Sequence, residues 1–314
     1  MRVSYNLAQV TVNLTNYHVT PMHVMFEEVR KEAAALNVGV AGSEVVGLIP
    51  LKAILQAAEY YIEKENLFIL DEDQKIRLAI ERLGLNSVAP FRPEEKIIEY
   101  MVAEPPHEPL ASMSVRAFID QIGARTSAPG GGSASAAIAA MGVGLGAMAA
   151  KLTYGVRKFE AVDQQMRAII PGLHAAAGDL IPQIDADTSA FSEYMDGLRM
   201  PKDTEAQKAA RKAKMQAGLK TAIKVPLRTM QLGDSAWDAM CEAARFGNPA
   251  CKSDIQVGAK ALETGIWGAY QNVLINMEGI QDQAYKADTL KTAEEIMTRA
   301  RQKCAEVLKI LEDK

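Results

Sequence analysis

The spacing of apolar positions changes several times over residues 3–103 and then settles. VTVNL (10–14) alternates apolar with polar and predicts a strand. After Pro21, MHVMFEEVRKEAAAL (22–36) takes helical spacing, and NVGVAGSEVVG (37–47) predicts a second strand with its turn. PLKAILQAAEYYIEKEN (50–66) places Pro50 at the first turn of a helix, and DEDQKIRLAIERLG (71–84) is a further helix closed by Gly84. Pro90, Pro93, Pro105, Pro106 and Pro109 follow in quick succession, so AEPPHEPLASM reads as a linker. From residue 112 onward every long segment keeps the helical period. The expected class is mainly α, with an all-helical bundle over 112–314, a linker at 104–111 and a small α/β piece over 1–103.

One stretch inside the helical part is unusual. SAPGGGSASAAIAAMGVGLGAMAA (127–150) holds three consecutive glycines and then little except Ala, Gly, Ser and Met. A phosphate loop needs a Lys-Ser/Thr pair after the last glycine, and none is present. A dinucleotide fingerprint needs a preceding strand, whereas SMSVRAFIDQIGAR (112–125) spaces Val115, Phe118, Ile119 and Ile122 as a helix does. A membrane span would be built from more than Ala and Gly and would carry flanking aromatics. Two readings remain. The loop Pro129, Gly130, Gly131, Gly132 and Ser133 either serves packing or frees backbone N–H groups for a ligand, with Ser133 capping the helix that follows. Along that helix Ala136, Ala140 and Gly144 form a seam of small residues.

KSDIQVGAKALETGIWGAYQNVLINM (252–277) repeats the pattern, opening at Ser253 with Gln256 as a capping box. Gly258, Gly265, Gly268 and Ala269 share a face that Asn272 and Asn276 continue at i, i+4. Two amides there bond either neighbouring helices or a heterocycle rich in ring nitrogens. In LIPQIDADTSAFSEYMDGL (180–198), Ile184, Phe191, Tyr194 and Leu198 mark a core-facing stripe. Asp187 falls on it and Asp185 roughly opposite. A carboxylate on such a stripe is either a paired structural group or one whose proton affinity burial has raised for chemistry.

Composition narrows the picture. At 24% charged and 48% hydrophobic residues with a net charge of −4, the chain carries no whole-molecule nucleic-acid footprint. Its clearly basic segment runs from Lys202 to Arg228 and reads as a solvated helix face or as a site for an anionic substrate tail. Cys241, Cys251 and Cys304 form no CxxC or Cys/His cluster, so neither a metal site nor a disulfide framework is indicated. The opening residues lack the apolar core of a signal peptide, and a cytoplasmic location is expected.

SAPGGGSASAAIAAMG, TYGVRKFE, IDADTSAF, RMPKDT and FGNPACKSDIQVGAKALETGIWGAYQNVLIN together resemble the cyclodeaminase domain of the formiminotransferase-cyclodeaminase family. LAQVTVNLTNY, GSEVVGLIPLKAIL and KENLFILDEDQKIRL resemble the later part of that family's folate-binding formiminotransferase subdomain. The resemblance implies conversion of 5-formimino-tetrahydrofolate to 5,10-methenyl-tetrahydrofolate with release of ammonia, in histidine degradation. By its place in the DADxxAF motif, Asp187 is the implied catalytic residue. The glycine loop, Asn272, Asn276 and Lys202 are the candidate folate contacts, with Lys202 toward a polyglutamate tail. No cofactor beyond the folate, no nucleic acid and no membrane are expected, and a homo-oligomer built on dimers is. The family's earlier subdomain carries a catalytic histidine that has no counterpart here: His18, His23, His107 and His174 lie outside its motif. The first piece is therefore expected to be a truncated subdomain without formimino transfer. The alternatives are a transferase fragment and a non-catalytic folate-binding or assembly module.

Overall fold

The computed structural model describes residues 7–102 and 108–313, so His107 and the first half of the linker 104–111 lie outside the described residues. The chain divides into two compact units, Met1–Pro106 and His107–Lys314.

In the first unit helices carry the packing. They are α1 (Met22–Ala35), α2 (Leu51–Lys64), α3 (Glu72–Arg82) and the short α4 (Pro93–Lys96) and α5 (Ile98–Val102). α2 buries Ile54, Ala57, Ala58 and Tyr61, the i, i+3, i+4, i+7 stripe of an amphipathic helix, against Ile76, Ala79 and Leu83 of α3 and its end. Gly84 follows α3 in the left-handed region (φ 61°), and the Leu85 N–H turns back to the Ile80 carbonyl. A side chain there would run into the Gly42 backbone.

The two strands expected at 10–14 and 37–47 are not formed. Among the described residues the β pairing is a single parallel bridge between Ile49 and Ile97. The reason is the want of a neighbour: Val10 and Val12 are 65% and 46% exposed, and alternation alone gives an extended segment no partner for its N–H and C=O groups. The mainly helical class holds, with the β component of the first unit reduced to extended connections.

The second unit is a helical bundle of α6 (Val115–Ile122), α7 (Gly131–Lys151), α8 (Asp163–Arg199), α9 (Glu205–Ser235), α10 (Trp237–Phe246), α11 (Lys252–Met277) and α12 (Gln283–Glu312). Trp237, Ile170, Leu173, Ile223 and Met230 are fully buried at its centre. α7 is long and apolar enough to cross a membrane, but more than half of it is buried inside the bundle.

The α7–α11 contact is a backbone contact. A Cβ on Gly142 would lie 2.6 Å from the Leu262 nitrogen, and one on Gly265 would lie 2.6 Å from the Ala139 Cβ. Gly258 faces the Gly142 carbonyl and Gly268 the Ser135 hydroxyl. The α11 half of the expected seam is thus as read from the sequence, but the α7 half is displaced. Ser135, Ala139, Gly142 and Gly146 recur at i, i+4, i+7, i+11 and stay on one face. The step through Ala136, Ala140 and Gly144 begins one residue, about 100°, round the helix from that face, with Ala136 packed on Leu110 and Ile184. Gly144 accordingly has open space beside it.

Candidate functional site

The glycine loop starts α7 three residues earlier than its sequence suggests. Gly130 is the N-cap, and Ser133 already sits inside the first turn. Ser133 therefore does not cap its own helix; its hydroxyl donates to the Ile184 carbonyl of α8 at 2.7 Å. Neither does Ser253 open α11, which begins at Lys252 behind Cys251 without a side-chain cap. Pro129, joined to Ala128 by a cis peptide bond, is buried behind the loop.

The free N–H groups of this helix start meet a carboxylate from α8. Asp187 Oδ2 accepts the Ser133 N–H at 3.1 Å, with the Ser133 hydroxyl at 3.5 Å and Thr188 Oγ1 3.2 Å from that hydroxyl. No protein hydrogen bond reaches Asp187 Oδ1 among the described residues, and the side chain is half-buried. Gly132 is what allows the approach, since a Cβ there would collide with the Asp187 carboxylate. Burial pushes the Asp187 carboxyl above the ordinary carboxylate range, while the Ser133 backbone N–H and hydroxyl pull it partly back. One oxygen is held and the other is available, on a group whose proton affinity is raised. That is the arrangement of an acid–base residue.

Asn272 joins this cluster. Its Nδ2 donates to the Gly268 carbonyl at 2.8 Å and lies 3.6 Å from where a Gly131 Cβ would stand. Asn276 is occupied otherwise, donating to the Ala222 carbonyl of α9 at 3.1 Å and to the Asn272 carbonyl at 2.9 Å. One turn further along α11 it ties two helices together instead of facing the loop. Lys202 is exposed in the connection from α8 to α9, with no hydrogen bond or ion pair to the loop among the described residues. Twelve residues of helix separate Asp187 from Arg199, roughly 18 Å at the α-helical rise.

Asp185 corrects the helical-wheel reading. It does not lie on an outer face: it is 7% exposed and accepts the N–H groups of Leu110 at 2.8 Å and Ala111 at 3.0 Å. Leu110 in turn packs with Ala136 and Ile184, and Phe118 joins the same cluster. The wheel failed because the segment before α6 folds back over this side of α8, a long-range contact that no local period encodes. Thr188 was also passed over, although it stands beside Asp187 in the quoted motif.

Among the described residues no group of three His, Cys, Asp or Glu is placed to hold a metal ion. The basic run on α9 is partly consumed locally: Lys208 pairs with Glu205, Lys220 with Asp282, and Arg211 donates to the Leu198 carbonyl.

Comparison with known proteins bears on what such a site belongs to. Residues 114–295 match the formiminotransferase-cyclodeaminase family and residues 3–103 the formiminotransferase domain. A formimidoyltransferase-cyclodeaminase of Dictyostelium discoideum is 54% identical over 99% of this chain, which spans 57% of that protein's length. A methenyltetrahydrofolate cyclohydrolase of Methylorubrum extorquens is 32% identical over 60% of this chain and 90% of its own. The crystal structure of a formiminotetrahydrofolate cyclodeaminase from Thermotoga maritima superposes with a TM-score of 0.58 at 26% identity, covering 64% of this chain and 97% of that one. The match runs through the helical unit that carries the loop and the carboxylate, and this chain belongs to the formiminotransferase-cyclodeaminase family.

Proposed function

We propose that the helical unit is a formimidoyltetrahydrofolate cyclodeaminase with Asp187 as its acid–base residue. The observation that carries this reading is the asymmetric carboxylate: Oδ2 fixed by Ser133 at the start of α7, Oδ1 without a hydrogen-bond partner among the described residues, and proton affinity raised by burial. In 5-formimino-tetrahydrofolate protonated on its formimino nitrogen, N10 attacks the formimino carbon, the C=N electron pair moves onto that nitrogen as an amino group, and a tetrahedral centre forms. Asp187 takes the N10 proton and returns a proton to the amino group, which leaves as ammonia. The carbon is left bridging N5 and N10 as the methenyl product. No cofactor beyond the folate enters this scheme. In this reading Asn272 and the backbone N–H groups of Gly131 and Gly132 meet the heterocycle, and Lys202 and its neighbours on α9 meet the glutamate tail. A proton acceptor that becomes a donor one step later works best when its pKa lies near the working pH, which burial favours.

The test is direct. Purified protein incubated with 5-formimino-tetrahydrofolate should produce methenyl-folate absorbance and ammonia in equal amounts. Absence of both would leave a folate-binding or assembly role.

The protein also forms homo-oligomers built on dimers in this reading. Met141 and Leu152, 60% and 52% exposed, continue through half-buried Met148 as one apolar stripe along α7 and its end. Such a stripe on a soluble bundle suits a second copy.

A further inference from the structure

The chain from residue 110 to residue 133 leaves α8 and returns to it, and it is gripped at both ends by the same motif. At its start, Asp185 accepts the Leu110 and Ala111 N–H groups. At its end, Asp187 accepts the Ser133 N–H. Between the two grips lie α6 and the loop 123–130, and little else moors them. α6 has no fully buried residue, Val115 and Ile119 are exposed on its outer side, and Phe118 makes its inward contact with the cluster of Leu110, Ala136 and Ile184. Ile184, which precedes Asp185, also supplies the carbonyl that Ser133 Oγ donates to.

We propose that Asp185 is a positioning residue: it anchors the strap 110–122 so that the loop leading into Gly131 and Gly132 is held beside Asp187. It therefore sets substrate affinity and leaves the chemical step to Asp187. The physical ground is that a buried carboxylate accepting two backbone N–H groups is a strong, directional tie, and removing it strands both donors in a buried place. Two carboxylates separated by one alanine thus perform different work on one segment, one gripping its base and the other meeting the reacting atoms at its tip. This inference rests on the reading of Asp187 given above.

The experiment compares Asp185→Asn and Asp185→Ala with the unaltered protein in three readouts. Asn keeps the volume and one acceptor oxygen but turns an N–H donor toward one of the two backbone donors, so it serves where Ala fails to fold. With 5-formimino-tetrahydrofolate as substrate, KM is expected to rise about tenfold or more while kcat stays within about threefold, the signature of lost binding interactions. Amide hydrogen exchange is expected to speed up at Leu110, Ala111 and through α6, while α7 and α8 keep their protection. Affinity for 5-formyl-tetrahydrofolate, measured by calorimetry, should fall by a similar factor to the rise in KM. Unchanged KM and affinity overturn the proposal, as does a uniform loss of protection with kcat and KM altered together, which marks Asp185 as structural support. If the unaltered protein binds 5-formyl-tetrahydrofolate but turns over no substrate, the cyclodeaminase reading fails. The calorimetric and exchange results then decide the strap by themselves.

Discussion

A single missing methyl group lets the site exist. Any side chain at Gly132 would enter the space of the Asp187 carboxylate, so Gly132→Ala is expected to displace it and cut turnover by at least about tenfold, with helical content unchanged by circular dichroism. At Asp187 itself, Asn preserves shape but cannot shuttle the proton, and turnover should fall by about 10² to 10⁴ while folate affinity holds. The linkage sign adds a check. Because the folded protein raises the Asp187 pKa, it binds that proton more tightly than the unfolded chain does, so ionising Asp187 destabilises the fold. That cost sets in as pH rises through the ordinary carboxylate value and is complete above the raised one. Asp187→Asn should therefore be at least as resistant to urea as the parent at neutral pH, and a clear loss of stability would mark a structural aspartate. Ser133→Ala removes a group that pulls the Asp187 pKa down, so the acid limb of the pH–rate profile should move upward. An unmoved limb would separate that limb from Asp187.

At the scale of elements, the α7–α11 seam separates the glycines it packs against from those it leaves in the open. Gly265 meets the Ala139 backbone, so Gly265→Val overpacks the seam and should cost about 1–3 kcal/mol in chemical denaturation. Gly144 has nothing within 4 Å of its would-be Cβ, and Gly144→Ala should stabilise by about 0.5–1 kcal/mol because a helical glycine loses more backbone freedom on folding. Equal effects at the two positions would contradict the packing described. The same seam explains why α7 has so membrane-like a composition: its small residues are needed by the bundle, where they let α11 approach at backbone distance.

For the whole molecule, Met141, Met148 and Leu152 form an apolar stripe along α7 and its end, outside that seam. Light scattering at micromolar concentration is expected to give a dimer or a multiple of one. The pair Met141→Glu and Leu152→Glu should shift it toward monomer, since burying two unpaired carboxylates in an apolar contact is costly. A monomer from the parent chain removes the idea. If the α9 lysines meet a glutamate tail as proposed, affinity for a polyglutamylated folate weakens at high salt far more than affinity for the monoglutamate.

The helices of both units were legible because their information is local. The 3.6-residue period of α2, the proline before it and the glycine after α3 act within a few residues of where they stand. That Asp187 is drawn inward from α8 was legible too, through the conflict between a charge and an apolar stripe, although Asp185 is the more buried of the two. What depended on distant contacts was not. The strands expected at 10–14 and 37–47 needed a neighbouring strand, and the described residues provide only the Ile49–Ile97 bridge. Asp185 was assigned to an outer face because a helical wheel knows nothing of the strap that folds over it and presents two N–H groups. For Asn276 the choice fell to packing because the Ala222 carbonyl of α9 lies opposite its amide. Periodicity fixes which side of a helix is apolar; only the tertiary structure supplies what stands against it, and hence which buried polar group is bonded and which is left available to react.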